Sequence, residues 1–391
     1  MKLEELVKDI YYVGAPHPER QLFDELIPLP DGTSYNAYLI KGKTKIALLD
    51  TVDPTKESEL LDNLRKLKVD RIDYVIAHHC EQDHSGSIPT VLDRYPMAKV
   101  VTNPKCKAML KDHLLVAEDK FIEVKDGQTL DLGGRTLQFI YTPWVHWPET
   151  ICTYLKEDQI LFSCDFFGSH IALSDLFVKD KEHVYLAAKR YYAEIMMPFR
   201  VMIKNNLKKL AELEIKMIAP SHGPVHDKPG FILDAYNDWI SDKCKNEVVV
   251  AYVSMHGSTA VMANYLVEAL EKKNIQVKAF NLAKMDLGEL AMALVDAATV
   301  IVGTPTVLVG PHPAAVYTTY LFNALRPKTK YLGIIGSFGW GGKMVETLSK
   351  MLTGVKVEVL EPVVAKGYPK DEDFKKLDQL VAEIVEKHKG V

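Results

Sequence analysis

Four potential metal ligands lie within six residues of this chain. His79, Glu81, Asp83 and His84 directly follow residues 72–77, an apolar run that predicts a buried strand. Buried carboxylates and imidazoles need charge partners or a coordinated cation. The sequence therefore predicts a metal-binding loop at the end of a strand, and the fold must hold that loop rigidly.

Three further candidate ligands, His146, Asp165 and His222, each stand just beyond a β-type apolar run. Strand ends at one rim of a sandwich can converge on one point. Seven ligands exceed what one ion takes and suit two, with Asp165 as the natural bridge. A set that mixes carboxylates with imidazoles suits iron at least as well as zinc. Three nearby histidines lie outside the pattern and are interpreted as supporting or structural residues: His78, His170 and His226.

The spacing of apolar residues along the sequence changes near residue 247. Before that point, short β-rich runs alternate with turns, and helical spacing of apolar residues predicts helices at 57–66 and 182–213. We therefore expect residues 1–247 to form a β-rich sandwich and residues 248–391 to form a second domain.

The second domain alternates strands with helices. Its predicted strands are 247–253, 276–281, 299–302, 331–335 and 356–362, and its predicted helices are 259–273, 287–297, 314–325, 344–352 and 371–389. Five such strand and helix units are typical of a doubly wound parallel sheet.

Three loops of the second domain, residues 254–259, 303–306 and 336–342, have the composition of a cofactor site. Hydroxyls, backbone N–H groups and a helix N-terminus favour a phosphate in the first loop, which resembles the phosphate loop of flavodoxins. Ligands of open α/β sheets bind at the carboxyl ends of strands, where the other two loops lie. Trp340 is expected to cover a flavin ring; the alternative is that the loops only turn the chain and Trp340 packs in the core. The candidate contacts are Ser254, Met255, His256, Gly257, Ser258, Thr259, Thr304, Pro305, Thr306, Ser337, Phe338, Gly339 and Trp340.

The composition argues against several other classes of protein. The 48 Lys and Arg against 52 Asp and Glu give a formal net charge of −4, so there is no general attraction to nucleic acid. No segment approaches the roughly twenty apolar residues of a membrane span, and the N-terminus does not resemble a secretory signal. The five cysteines include no Cys-x-x-Cys pair, so we expect reduced thiols and a cytoplasmic location.

Together these motifs closely resemble those of the flavodiiron proteins, or A-type flavoproteins, across nearly the whole chain. Glu81 stands where a zinc hydrolase of the metallo-β-lactamase superfamily would carry its second histidine. The resemblance implies an α+β metallo-β-lactamase-like αββα sandwich with a non-haem diiron centre, followed by an α/β flavodoxin-like doubly wound parallel sheet that binds FMN. It rests on the segments 79–84, 143–148, 162–165 and 220–223 and on the three loops.

The resemblance also implies roles for individual residues. One iron would be bound by His79, Glu81 and His146, the other by Asp83, His84 and His222, with Asp165 bridging the two. Tyr192 matches a family tyrosine near the diiron pocket, where it could donate a hydrogen bond to a reduced intermediate; a packing role is the alternative.

Family members reduce dioxygen to water, nitric oxide to nitrous oxide, or both, with electrons passing from a donor through FMN to the irons. The resemblance implies a head-to-tail homodimer, or a homotetramer of two such dimers, that sets one subunit's flavin beside its partner's irons. Because the sequence holds no Cys-x-x-Cys pairs, we expect the donor to be a separate rubredoxin or a reduced deazaflavin coenzyme.

Two other functions stay open at the level of sequence. A binuclear zinc hydrolase with a regulatory flavodoxin domain would use the same ligand spacing. Glu81, in place of a histidine, argues against that function. An electron carrier would use the second domain alone, with the first domain as a docking platform. The ligand pattern does not distinguish dioxygen from nitric oxide as the substrate, because both need the same metal ligands.

Overall fold

The computed structural model describes residues 4–391, and the chain divides into two compact units. The first unit comprises Met1–Tyr192 and Phe199–Ile240, and the second comprises Ala193–Pro198 and Ser241–Val391. Within the described residues, none of the helices combines the length and the apolar character that crossing a membrane requires.

The first unit contains two main sheets, with the strand orders β1-β2-β7-β8-β9-β10-β11 and β12-β13-β14-β15-β16. Two small two-stranded sheets pair β3 with β6 and β4 with β5. The strands are β1 Glu5–Val7, β2 Ile10–Tyr12, β3 Ala15–His17, β4 Leu22–Phe23, β5 Ile27–Pro28, β6 Thr33–Tyr35, β7 Tyr38–Lys41, β8 Ile46–Leu49, β9 Tyr74–Ile76, β10 Lys99–Thr102, β11 Phe121–Glu123, β12 Thr129–Asp131, β13 Thr136–Tyr141, β14 Ile151–Leu155, β15 Ile160–Cys164 and β16 Met217–Pro220.

Alternation along the strands divides the core of the first unit into two layers. On β8, Ala47 and Leu49 pack against residues of the second sheet such as Phe139 and Phe162. Leu48 points the other way, into a cluster that contains helix residues such as Leu60. This period of two is what a strand buried on both faces requires, and it confirms the predicted β-rich sandwich.

The helices of the first unit correct one prediction. The predicted helix 57–66 is confirmed as α1, whereas the predicted helix 182–213 is interrupted by a π-helix at Tyr192–Met196 and a 3₁₀ turn at Met197–Phe199. Pro198 has no backbone N–H and clashes with the preceding turn, so a continuous helix is disfavoured there. The α-helices are α1 Glu57–Lys66, α2 Gln82–Ser85, α3 Ile88–Arg94, α4 Pro104–Leu114, α5 Lys181–Tyr191, α6 Arg200–Leu210 and α7 Gly230–Trp239.

The second unit is a parallel sheet in the order β18-β17-β19-β21, with β22 and β23 both beside β21. Its strands are β17 Lys245–Tyr252, β18 Gln276–Asn281, β19 Ala297–Val307, β20 Gly310–Pro311, β21 Tyr331–Phe338, β22 Glu358–Val359 and β23 Val363–Lys366. Its helices are α8 Ser258–Glu271, α9 Leu287–Leu294, α10 Pro313–Leu325, α11 Met344–Lys350 and α12 Asp371–His388. In chain order this is the 2-1-3-4-5 arrangement of the flavodoxin-like sheet, which confirms the predicted doubly wound class.

The last predicted strand of this sheet, 356–362, is wrong in its bounds. The chain forms two short strands, β22 and β23, and β23 begins directly after Pro362. A proline cannot donate a ladder hydrogen bond, so it separates the two strands.

Candidate metal centre and cofactor loops

Six of the seven predicted ligands lie in segments that directly follow a β-strand. His79 lies three residues beyond the end of β9, and the loop continues through Glu81 into the short helix α2, which contains Asp83 and His84. Asp165 directly follows β15, and His222 lies two residues after β16. The seventh, His146, lies in the loop between β13 and β14. The structure brings all seven side chains into one cluster.

Asp165 lies at the centre of this cluster. Its Oδ2 is 3.1 Å from His79 Nε2 and 3.3 Å from His146 Nε2. Its Oδ1 is 3.2 Å from His84 Nε2 and 3.7 Å from His222 Nε2. Each carboxylate oxygen therefore faces a different pair of histidines, which is the geometry of a bridge between two cations.

Each half of the cluster contains one more carboxylate. Glu81 Oε2 lies 2.9 Å from His146 Nε2 in the first half. Asp83 Oδ2 lies 3.1 Å from His84 Nε2 and 3.2 Å from His222 Nε2 in the second. Each half thus offers two imidazoles and one carboxylate besides Asp165, a mixed donor set that suits iron.

Several buried polar atoms of this cluster are poor hydrogen-bond partners for one another, and a bound cation would satisfy them better. Nε2 of His84 and Nε2 of His222 lie 3.0 Å apart, so the two nitrogens can share only one proton and leave a lone pair directed into the cluster. Asp83 Oδ1 has no hydrogen-bond partner within the described residues, and Asp83 Oδ2 has only its ion-pair contacts with His84 and His222. A polar atom buried without a partner is costly, and two metal ions would satisfy all these lone pairs.

The electrostatics of the cluster also point to added positive charge. Within residues 4–391, the ion-pair partners of Glu81, Asp83 and Asp165 are all histidines. Burial lowers the pKa of His84, but the carboxylates of Asp83 and Asp165 outweigh it and raise that pKa to about 10. Burial raises the pKa of Asp165, and the surrounding histidines hold it well below its usual value. Carboxylates that favour protonated histidines so strongly will also favour divalent cations.

A shell of hydrogen bonds holds the cluster in place. Ser221 Oγ donates to Asp165 Oδ1 at 2.5 Å, and the Ser34 carbonyl lies 2.7 Å from His222 Nδ1. Glu149 Oε1 accepts a hydrogen bond from the N–H of Cys80 at 3.0 Å and so fixes the metal-binding loop. Sequence reasoning did not single out these three residues. Ser221 is adjacent to a predicted ligand, so its sequence position could have indicated this role. Ser34 and Glu149 approach the site only in the folded chain.

The three histidines that were interpreted as supporting residues make hydrogen bonds outside the cluster. His170 Nδ1 lies 2.9 Å from Thr33 Oγ1, and His226 Nε2 lies 3.2 Å from the Phe167 carbonyl. His78 is bound by Asp50. None of the three belongs to a candidate metal group among the described residues.

The tyrosine nearest the metal ligands differs from the one that the sequence suggested. The Tyr192 hydroxyl lies 3.4 Å from the Trp239 carbonyl, and its ring packs on Tyr236 and Trp239. The ring of Tyr191 instead lies 5.8 Å from that of His222. Consecutive helical residues point about 100° apart, so only one of the two can face the ligands. The geometry favours Tyr191 as that residue and a packing role for Tyr192.

In the second unit, the first cofactor loop leads from β17 into α8. Gly257 has a φ of +91° and precedes the helix, whose first N–H groups have no side-chain cap. Thr259 Oγ1 lies 3.2 Å from Ser337 Oγ, which connects this loop with the end of β21. Free N–H groups at a helix N-terminus and converging hydroxyls fit a phosphate group.

The other two loops correct the expectation in detail. Thr304, Pro305 and Thr306 lie within β19, which continues to Val307 rather than ending near residue 302. Thr306 Oγ1 is buried and has no hydrogen-bond partner within the described residues, so it is available to bind a ligand. Trp340 is 74% exposed, so the alternative in which it packs in the core is excluded.

A buried cluster for two metals and a flavodoxin-like sheet in one chain define a class of flavin-containing and metal-containing oxidoreductases. Residues 33–223 match the family model described as ODP family beta lactamase, and residues 250–377 match Flavodoxin. The chain is 36% identical to the nitric oxide reductase of Moorella thermoacetica over 381 residues, covering 95% of each protein. It is 31% identical to the flavo-diiron protein FprA2 of Clostridium acetobutylicum over 390 residues, covering 95% of this chain and 96% of that protein.

Among solved structures, the rubredoxin oxygen:oxidoreductase of Desulfovibrio gigas superposes with a TM-score of 0.95 at 30% identity, covering 100% of this chain and 99% of that one. The chain belongs to the flavodiiron protein family. The predicted fold class and the predicted FMN-dependent and diiron-dependent oxidoreductase function are thereby confirmed, and the zinc hydrolase alternative is less supported.

Proposed function

We propose that this chain reduces dioxygen to water, nitric oxide to nitrous oxide, or both, at a diiron centre in residues 1–247, with electrons delivered through FMN bound by residues 248–391. One observation carries the proposal: the two oxygens of Asp165 face separate pairs of histidines. That arrangement suits two adjacent metal ions, and two ions can act together on one diatomic substrate.

The proposed ligands follow the two halves of the cluster. His79, Glu81 and His146 would bind the first iron, Asp83, His84 and His222 would bind the second, and Asp165 would bridge them. In the second domain, the loop Ser254–Thr259 would bind the FMN phosphate, and Thr304–Thr306, Ser337–Gly339 and Trp340 would contact the flavin.

The iron pair supplies one-electron redox chemistry, and FMN supplies electrons in pairs. The chain's own residues hold the metals and shape access to them. A cavity of about 340 Å³ is lined by both Glu81 and Asp83 and walled by Phe23, Tyr35 and Trp147. Arg20, Asp24 and Asp53 also line this cavity, so it is a mixed polar and apolar space through which a small molecule can reach the two carboxylates.

We also propose the partners that the family resemblance implies. The donor is a separate rubredoxin or a reduced deazaflavin coenzyme; the similarity to a rubredoxin oxygen:oxidoreductase supports the first, and the similarity to coenzyme F420H(2) oxidases supports the second. The assembly is a head-to-tail homodimer or a homotetramer of such dimers, in the cytoplasm.

The experiment compares wild type with Asp165→Asn in the purified, reduced protein. Metal analysis should give two irons per wild-type chain, and anaerobic assays should show consumption of dioxygen, nitric oxide or both. Asp165→Asn should lose gas reduction and part of its iron, yet keep one FMN per chain. Asp62→Asn, an exposed carboxylate paired with Arg65, is the matched control and should retain activity.

Two results would overturn the proposal. Two zincs per chain with ester or amide hydrolysis and no gas consumption would identify a hydrolase. Full gas reduction by Asp165→Asn would place the reaction away from the metal cluster. Dioxygen and nitric oxide are assayed separately, so the same preparation determines the substrate preference.

A further inference from the structure

We propose that Cys164 is a positioning residue for the metal centre, which holds the imidazole of His79 by accepting a hydrogen bond from its Nδ1–H. Cys164 Sγ lies 3.2 Å from His79 Nδ1, and both side chains are buried. The proposal rests on the metal site described above, and it adds a residue outside the seven ligands that decides how one of them binds.

The orientation of His79 defines the role of its two nitrogens. Nε2 lies 3.1 Å from Asp165 Oδ2 and 3.4 Å from Glu81 Oε2, so Nε2 is the atom that faces the metal. A neutral imidazole that binds through Nε2 carries its proton on Nδ1. The thiol sulfur is the acceptor that the structure provides for this proton, and it thereby fixes the tautomer and the plane of the ring.

Two other histidines of the cluster are held differently. His222 Nδ1 lies 2.7 Å from the carbonyl oxygen of Ser34, whereas His84 Nδ1 has no partner within the described residues. Sulfur is a weaker acceptor than a carbonyl or carboxylate oxygen. An imidazole with a weaker acceptor donates less electron density to its metal, so Cys164 makes the first half of the cluster a poorer donor set than an oxygen acceptor would.

The backbone explains how Cys164 reaches this position. It is the last residue of β15, where the register with β16 shifts between Phe162 and Cys164, and its φ of +56° lies in the left-handed region. Its carbonyl accepts the N–H of Ser221 at 2.8 Å. A cysteine seldom adopts this conformation. The irregular strand end directs the thiol to His79 and the next side chain, Asp165, into the cluster.

The test uses three replacements of Cys164 and one control. Cys164→Ala removes the sulfur and keeps a side chain at the same φ, Cys164→Ser substitutes an oxygen, and Cys164→Gly removes the sulfur and relieves the positive φ. Cys152→Ala is the control, because Cys152 is a buried thiol that donates to the Ser163 carbonyl and belongs to no candidate metal group. Iron affinity is measured by competition with a chelator, and the midpoint potentials of the irons and of FMN by spectroscopic titration.

We expect Cys164→Ala and Cys164→Gly to weaken iron binding by roughly 10-fold to 100-fold. Cys164→Ser should keep its iron but lower the midpoint potential of the metal centre, because an oxygen acceptor makes His79 more electron-rich. The FMN potential should not move in any variant, and Cys152→Ala should match wild type.

Wild-type iron affinity in both Cys164→Ala and Cys164→Gly would overturn the proposal, and so would equal losses in Cys152→Ala. The glycine variant guards against misfolding, because it relaxes the strained backbone instead of adding to it. If wild type binds zinc and reduces no gas, the proposed function fails, yet zinc competition on the same variants still tests the role of Cys164.

Discussion

The carboxylate of Asp50 binds His78 twice, accepting its backbone N–H at 2.9 Å and lying 2.6 Å from its Nδ1. His78 Nε2 in turn lies 2.8 Å from Thr153 Oγ1. Asp50 follows β8, His78 follows β9 and Thr153 belongs to β14, so the three side chains join both sheets of the first unit. The pair fixes the residue that immediately precedes the metal loop.

Replacement of Asp50 by Asn is therefore expected to destabilise the first unit. Asn keeps the shape of the side chain and tolerates the φ of +53° at this position, but it loses the charged hydrogen bond to His78. Such bonds contribute about 1.5–3 kcal/mol, and urea denaturation should show a loss of that size. Asp62→Asn, at an exposed pair with Arg65, should change the stability by less than about 1 kcal/mol. Equal effects of the two changes would contradict this assignment.

The same pair predicts a pH dependence. Burial raises the pKa of Asp50, but His78 outweighs burial and the pKa lies below its usual value. A carboxyl group with a lowered pKa stabilises the fold above the pKa of the unfolded chain and loses that contribution as the pH falls through the folded pKa. The stability difference between wild type and Asp50→Asn should thus be constant near neutral pH and shrink in acid. A difference that grows on acidification would contradict the direction of the shift.

Removal of the metals should destabilise the first unit selectively. A ligand that binds only the folded state at one hundred times its dissociation constant adds about 2.7 kcal/mol, and the metal cluster lies wholly within this unit. Calorimetry before and after chelation should show the transition of the first unit at a lower temperature and that of the second unit unchanged. Readdition of ferrous iron should restore it. A loss shared by both units would indicate general denaturation.

Gly257→Ala should weaken FMN binding without disturbing the metal site. A Cβ at Gly257 would meet no atom within 4 Å, but the φ of +91° disfavours any L side chain. This conformation costs roughly 1–2 kcal/mol for alanine, so the loop should shift and FMN affinity should fall roughly tenfold by fluorescence titration. Gly230→Ala, equally unobstructed and without a positive φ, is the control and should bind FMN normally.

The hairpin between β19 and β20 should gain stability when its turn residues are replaced. Leu308 and Val309 connect the Val307–Gly310 pair with φ values of +49° and +69°. Two-residue turns of this kind favour Asn-Gly, and Leu308 is 91% exposed. Leu308→Asn combined with Val309→Gly should stabilise the second unit by about 1–2 kcal/mol, seen as a higher calorimetric transition. Leu308→Ala keeps the strained turn and should leave the transition nearly unchanged.

Local pattern was sufficient to predict much of this protein. The helix at 57–66 and the alternation of strands and helices in the second domain were predicted because apolar spacing reports which face of an element is buried. The seven candidate ligands, which the fold brings together, were predicted because each follows an apolar run and carries a metal-binding side chain. Two of the positions that failed, the helix through Pro198 and the strand through Pro362, are those where a missing N–H interrupts a favourable apolar pattern.

The sequence by itself thus determined the order of the elements and supplied the seven candidate ligands. Only the tertiary structure decided how those ligands are shared, with Asp165 facing both halves, and which residues hold them. Asp50, Glu149 and Cys164 act on the metal loop across 28, 69 and 85 positions respectively. Contacts at that separation depend on how strands pair within a sheet and how the two sheets pack, and side-chain spacing along one segment carries no information about them.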